Sequence, residues 1–180
     1  MVYWENGKCY FYGSSQSQAA VNADLAGMLG IEPENLCFIN ENTGGGFGSK
    51  GRAYPTMAVA GYFSRLLNRP IQLRITREEE FYIGVSRPGM QGWIKTGVRN
   101  DGTVAAVDLA IISDGGPGGR DSASSSAGHI SVLFQPTAMR LRNIPIFTNT
   151  APKGAQRGPG QNEMAVVLAP IMDKVAKAVN

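Results

Sequence analysis

The sequence predicts an α+β fold: mixed sheets with a β-hairpin, packed by about four helices. Three observations lead there. Apolar residues alternate at period two in some segments and recur at helical spacing in others. Two of the alternating runs flank Asn100-Asp-Gly102, a strong hairpin signal that argues against a purely parallel sheet. Gly (23) and Pro (10) are frequent but aperiodic in the 180 residues, which suits a loop-rich chain and neither a helix-only bundle nor a collagen-like repeat.

The elements follow in order. Lys8-Cys-Tyr-Phe-Tyr12 is short and aromatic, and reads as a strand. Ser14, Ser15 and Ser17 offer N-caps to a helix whose apolar stripe is Ala20, Val21, Leu25, Met28 and Leu29, with Gly30 placed to end it. Beyond Pro33, Leu36-Cys-Phe-Ile39 reads as a buried strand, with Cys37 as part of the core. A second helix is expected over about 53–67, with Pro55 in its first turn and Asn68-Arg-Pro70 at its end. Ile71 to Ile75 alternates like a strand, and Thr76 ahead of Glu78-Glu-Glu80 resembles a capping box with a solvated acidic turn. The hairpin spans 91–113, with Trp93, Lys95 and Gly97 on one side. Asp114 to Gly128, with five glycines, four serines and Arg120 as its cation, is a mobile loop or helix entry. A helix containing His129, a strand from Met139 to Phe147, a Gly/Pro/Asn-rich loop from Thr148 to Gly160 and a helix from Met164 to Val179 complete the chain. The whole reads as one domain over 1–180, with two sub-lobes at about 1–85 and 86–180. No internal repeat is visible.

Composition excludes several classes. The chain is 43% hydrophobic and 17% charged, too apolar and too weakly charged for disorder. A dispersed net charge of +3 without basic runs implies no nucleic-acid surface. Cys9 and Cys37 are too few for a disulfide framework, and with His129 alone to join them a metal centre built from side chains is not expected. The opening residues resemble no signal peptide, and no stretch is long and apolar enough for a membrane span, so a cytoplasmic location is expected. No nucleophile, base and orienter share a recognisable spacing, and His129 reads as structural.

Two glycine-rich loops carry the chemistry. Thr43-Gly-Gly-Gly-Phe-Gly-Ser-Lys50 joins a strand to a helix, and consecutive glycines let backbone N–H groups approach an anion closely, with Lys50 adding a charge. It is no Walker A loop, since Ser49 stands before the lysine. Its G-x-G-x-x-G match lacks the acidic residue that a dinucleotide site places about 20 residues on. The second loop, Ala155-Gln-Arg157-Gly-Pro-Gly160, also precedes a helix and also brings one cation. Together they predict a grip on a large anionic ligand.

In these residues the sequence resembles the molybdopterin-binding large subunit of the xanthine dehydrogenase/aldehyde oxidase family. The resemblance runs through Ser15-Gln16, Leu25-Ala-x-Met-Leu-Gly30-Ile, Gly44-Gly-Gly-Phe-Gly-Ser-Lys50, Asn68-Arg-Pro70, Thr76-Arg-Glu-Glu79, Asn100-Asp-Gly102, Thr148-Asn-Thr150, Arg157-Gly-Pro-Gly160 and Met172-Asp173. It implies that family's molybdenum-cofactor-binding fold and a molybdenum ion held by a pterin dithiolene, possibly the cytosine dinucleotide form. It also implies hydroxylation of an aldehyde or N-heterocycle with water as oxygen source. Iron–sulfur clusters and FAD would lie on partner subunits, and other molybdenum-binding domains or chains would complete the enzyme. Gln16 matches the glutamine whose amide contacts the metal's ligands. Gly44, Gly45, Gly46, Phe47 and Gly48 match the first cofactor loop, and Gly154, Ala155, Gln156 and Arg157 the second. Gln16 and Arg157 are positioning groups in this reading, with no catalytic residue assigned.

The departures are informative. The family's general-base Gly-x-Gly-Glu motif is absent, as is its later Gln-Gly-x-Gly loop. Gly51 replaces the glutamate that purine-oxidising members place after the motif lysine, Pro159 replaces an aromatic, and Ala169-Pro170 stands where a glutamate is common. The chain therefore reads as a split subunit or excised domain that self-associates when isolated, and whose substrate is not a purine. A non-catalytic assembly module that keeps the fold without the metal, and a Rossmann-type nucleotide-binding domain, are the rivals.

Overall fold

A computed structural model describes residues 1–119, 121 and 124–179. The chain divides into two units, Met1–Gly84 and Val85–Asn180. Arg120, which the sequence singles out as the cation of its loop, lies outside the described residues.

In the first unit, β1 (Val2–Glu5) and β2 (Lys8–Tyr12) pair antiparallel, and β3 (Leu36–Ile39) pairs parallel to β2. The parallel return needs a crossover, and α1 (Gln18–Leu29) supplies it, ending on Gly30 in the left-handed conformation (φ 64°). Next, α2 (Pro55–Leu67) starts on Pro55, whose missing N–H costs nothing at a helix start, and ends at Asn68. The core joins Val2, Cys9 and Phe11 of the hairpin, Val21, Leu25 and Ala26 of α1, Leu36 and Phe38 of β3, and Ala60 of α2. A short helix, α3 (Arg77–Ile83), carries the expected capping box: Thr76 Oγ1 accepts from Glu79 N–H, and Glu79 reaches back to Thr76 N–H.

Three expectations change here. The first strand, β1, is absent from the sequence reading, although Asn6-Gly7 turns the chain with both residues at positive φ (50° and 78°). Ile71–Ile75 forms no strand: Ile71 exchanges two hydrogen bonds with Val2, and then Leu73 and Ile75 are exposed without a partner strand. Cys37 is exposed, not core, because Leu36 and Phe38 occupy the buried face and a strand sends its alternate residue outward.

The second unit repeats this order of elements. The antiparallel hairpin of β4 (Met90–Val98) and β5 (Val104–Asp114) leads into α4 (Ser124–Phe134), and β6 (Ala138–Ile146) pairs parallel to β5. A long helix, α5 (Gln161–Val179), follows. Its core takes Val104, Val107, Leu109 and Ile111 from β5, Ile130 from α4, and Met164 and Leu168 from α5. Each unit is thus hairpin, helix, parallel strand, loop, helix. That is an α+β fold with two mixed three-stranded sheets and five α-helices among the described residues. A doubly wound parallel sheet, the Rossmann alternative, is ruled out by the antiparallel hairpin in each sheet.

Candidate functional site

Parallel strands deliver their C-terminal ends to one edge of a sheet, so the loops that leave them meet. In the first unit, β2 runs into the turn that carries Gln16, and β3 runs into the Gly44–Lys50 loop. Ser15, 2% exposed, stitches the two together. Its backbone N–H donates to Asn40 Oδ1 (3.2 Å), its carbonyl accepts from Asn40 Nδ2 (2.8 Å) and Thr43 Oγ1 (3.1 Å), and its hydroxyl donates to the Lys50 carbonyl (3.2 Å). Gln16 N–H takes the same Lys50 carbonyl at 3.0 Å. Lys50 closes the loop from within: its ammonium donates to the Thr43 carbonyl at 2.5 Å.

The Gln16 side chain meets the loop directly. Gly48 N–H donates to Gln16 Oε1 at 2.9 Å, which settles the amide's orientation, since only the oxygen can accept. Nε2 is left as a donor without a partner among the described residues, on an exposed side chain. The N–H groups of Gly44, Gly45, Gly46 and Phe47 likewise have no acceptor among the described residues. Phe47 holds a left-handed conformation (φ 51°) and is 63% exposed, and a Cβ on Gly45 would lie 2.6 Å from its ring. A Cβ on Gly46 would overlap Gln16 Oε1. The result is four consecutive amide donors, one side-chain amide donor and one ammonium at the end of a sheet. Such a set takes a group rich in acceptor oxygens. Gly51–Tyr54 intervene before α2 begins, so the loop's own amides supply the attraction and the helix end does not.

In the second unit the same geometry brings Asp114, the last residue of β5, to the loop after β6. Its carboxylate accepts from the Thr148 hydroxyl, from Gly116 N–H at 3.0 Å and from Thr150 Oγ1 at 3.1 and 3.2 Å, and pairs with Lys153 Nζ at 3.2 Å. These bonds, the Thr148 hydroxyl foremost, hold its pKa down to about 2. The following residues knit onto Val85–Ser86: Gly154 N–H donates to the Ser86 carbonyl at 3.2 Å, and Gln156 Nε2 to the Val85 carbonyl at 2.8 Å. Gly154 is buried, and a Cβ there would come within 2.8 Å of Val85. Of the four expected cofactor residues in this loop, Gly154 and the Gln156 side chain are therefore committed to the chain itself. Ala155 N–H and the exposed Arg157 guanidinium have no partner among the described residues. Asp114, Val85 and Arg87 organise this loop, and no motif marks them in the sequence.

Among the described residues no three His, Cys, Asp or Glu side chains gather where they could hold a metal ion. Backbone and side-chain amide donors such as these suit a ligand rich in acceptor oxygens. The family model for the molybdopterin cofactor-binding domain matches residues 1–180. The chain belongs to this family. Among its relatives, an indole-3-acetaldehyde oxidase of Arabidopsis thaliana is 27% identical over 168 residues, covering 92% of this chain and 12% of that protein. A probable hypoxanthine oxidase of Escherichia coli K12 is 26% identical over 170 residues, covering 92% of this chain and 18% of its own length. The quinoline 2-oxidoreductase of Pseudomonas putida 86 shares the fold, with a TM-score of 0.88 at 22% identity over 99% of this chain and 24% of its own. The chain spans about a quarter or less of the length of these relatives. No helix among the described residues is long and apolar enough to cross a membrane.

Proposed function

We propose that this domain forms part of a molybdenum hydroxylase, an oxidoreductase that acts on an aldehyde or an N-heterocycle other than a purine. In this reading Gln16 and the Gly44–Gly48 loop hold one part of the molybdenum cofactor, and Ala155 and Arg157 of the second loop contact it as well. When bound, the cofactor supplies the redox centre for hydroxylation with water as the oxygen source. The chain's residues do the rest: the amides of Gly44 to Phe47 bind acceptor oxygens, Gly48 holds Gln16, and Gln16 presents Nε2 as a fixed donor. The observation that carries this is the Gly48 N–H to Gln16 Oε1 bond beside four amides with no acceptor among the described residues.

A Cβ on Gly51 would stand 4.0 Å from Gln16 Nε2, so a side chain at this position would project beside the donor. Glycine leaves that space open and offers no carboxylate to grip a purine. The general base, the iron–sulfur and FAD components, and further molybdenum-binding chain come from outside these 180 residues, and the cofactor's cytosine dinucleotide form belongs to the same reading. The test is metal and pterin analysis of the enzyme purified with its native partners. Gln16→Ala is expected to keep molybdenum while turnover falls on the order of 10²-fold, the usual result of losing a preorganised donor. Gly45→Val is expected to lose molybdenum, since its side chain would displace the Phe47 ring across the amides. Unchanged turnover in the first variant with full molybdenum in the second would show the assignment to be wrong.

A further inference from the structure

The segment from Arg157 to Gly160 has every carbonyl held by a side chain. Arg87 donates from Nη2 to the Arg157 carbonyl at 2.5 Å and from Nη1 to the Gly158 carbonyl at 3.3 Å. The same Nη1 meets Glu163 Oε1 at 3.0 Å. Asn162 Nδ2 adds a second bond to the Arg157 carbonyl at 2.9 Å, and the hydroxyls of Ser125 and Ser126 donate to the carbonyls of Pro159 and Gly160.

A trans peptide points its C=O and the next N–H in opposite directions. Fixing the Arg157 carbonyl on Arg87 therefore turns Gly158 N–H away from Arg87, and fixing the Pro159 carbonyl on Ser125 turns Gly160 N–H away from that helix. Neither N–H has an acceptor among the described residues. Both glycines stand at φ 72°, where a side chain is strained, so the fold specifies this path at each step.

Arg87 suits the task because its planar fork can bond two neighbouring carbonyls and a carboxylate at once, which a lysine ammonium at one point in space does poorly. Glu163, 12% exposed, neutralises it from the first turn of α5, and its other oxygen is buried with no partner among the described residues, so Arg87 is what holds it there.

We propose that Arg87, with Glu163 as its counter-ion, is the positioning residue of the second cofactor loop. By fixing the Arg157 carbonyl it turns the Gly158 amide toward an oxygen-rich anionic part of the cofactor. This rests on the cofactor reading above. Arg87→Lys, Arg87→Met and Glu163→Gln in the complete molybdenum-binding polypeptide, purified with its native partners, test it. The measurements are pterin per polypeptide, Tm, and amide hydrogen exchange over 155–161 in pterin-free protein.

Arg87→Lys keeps the charge opposite Glu163, so Tm stays within a few degrees of the parent. Pterin content nonetheless falls on the order of tenfold, equivalent to about 1.4 kcal/mol, and exchange rises at Gln161, whose N–H donates to the Gly158 carbonyl that Arg87 holds. Glu163→Gln, which still accepts from Arg87, keeps most of its pterin. Full pterin and unchanged exchange in Arg87→Lys would overturn the proposal, since a plain charge partner is rescued by lysine. If Arg87→Met fails to fold, the other two variants decide. Wild-type enzyme without pterin would sink the cofactor reading itself, while the exchange data would still report whether Arg87 sets the loop.

Discussion

Gly46→Ala is the sharpest probe of the first loop. Gly46 does not sit at positive φ, so alanine brings no backbone strain. Its Cβ would overlap Gln16 Oε1 and lie 3.2 Å from Cδ, both at the far end of a flexible side chain. The amide can swing aside, whereas Gln16 Cβ, 3.3 Å from the new methyl, must give slightly, so the cost is at least the Gly48 N–H to Oε1 hydrogen bond, about 0.5–1.5 kcal/mol net. Spread over a domain of this size, that lowers Tm by roughly 1–6 °C. The functional cost should be far larger. Once displaced, Gln16 no longer holds Nε2 in place, and losing one preorganised donor costs about 2.7–4 kcal/mol in the transition state, on the order of 10²–10³ in rate. Gly46→Ala should therefore imitate Gln16→Ala, and the double variant should be no slower than Gln16→Ala alone. The assay is a double-mutant cycle on turnover by the complete enzyme, with molybdenum content and Tm measured in parallel. Additive losses, or a Gly46→Ala enzyme as fast as the parent, would refute the reasoning.

Other outcomes follow from the same structure. Asp114 is held at a pKa of about 2, below its ordinary 3.8, so its ionised form is the one the fold binds. Its contribution is full above about pH 4 and lost as pH falls toward 2, and Asp114→Asn should flatten that part of an acid-unfolding curve followed by circular dichroism. Gly154→Ala would press a methyl within 2.8 Å of Val85 and should cost about 1–3 kcal/mol by denaturant unfolding, with partial recovery in the Gly154→Ala/Val85→Ala pair. Thiol labelling of native protein should modify exposed Cys37 and spare Cys9, whose burial pushes its pKa up to about 11; equal rates at both would contradict the strand register. With Tyr62, Phe63, Leu66, Phe81 and Tyr82 exposed, the isolated chain should self-associate, and a monomer by light scattering at high concentration would count against this.

Local signals read well wherever the chain's own neighbourhood decides the outcome. Gly30 and Asn68 end their helices, Thr76 caps with Glu79, and Asn100-Asp-Gly102 turns the hairpin, each within a few residues of its effect. Alternation misleads where no partner strand exists: Ile71 to Ile75 has the pattern, yet only Ile71 finds Val2. Cys37 shows the companion failure, since a four-residue apolar run does not say which face is buried. At the site, glycine-rich loops and Gln16 are visible as motifs, whereas Arg87 acts on carbonyls 70 and 71 residues away, and nothing near it in sequence marks that reach.

The repeated order of elements explains why two loops with no sequence in common both draw attention. In each unit the first loop leaves the second hairpin strand and the second leaves the strand parallel to it, so both emerge at one sheet end. The first unit fills these slots with Ser15-Gln16 and Gly44–Lys50; the second fills them with the turn after Asp114 and with Thr148–Gly160. The same slots are secured by different chemistry. A buried serine and a lysine turned back on its own loop suffice in the first, where the amides of Gly44, Gly45 and Gly46 have no acceptor among the described residues. In the second, an ionised aspartate and an arginine–glutamate pair hold the loop. The two should therefore fail differently: acid should loosen the second loop through Asp114 and leave the first, whose closure rests on neutral groups and one ammonium, in place.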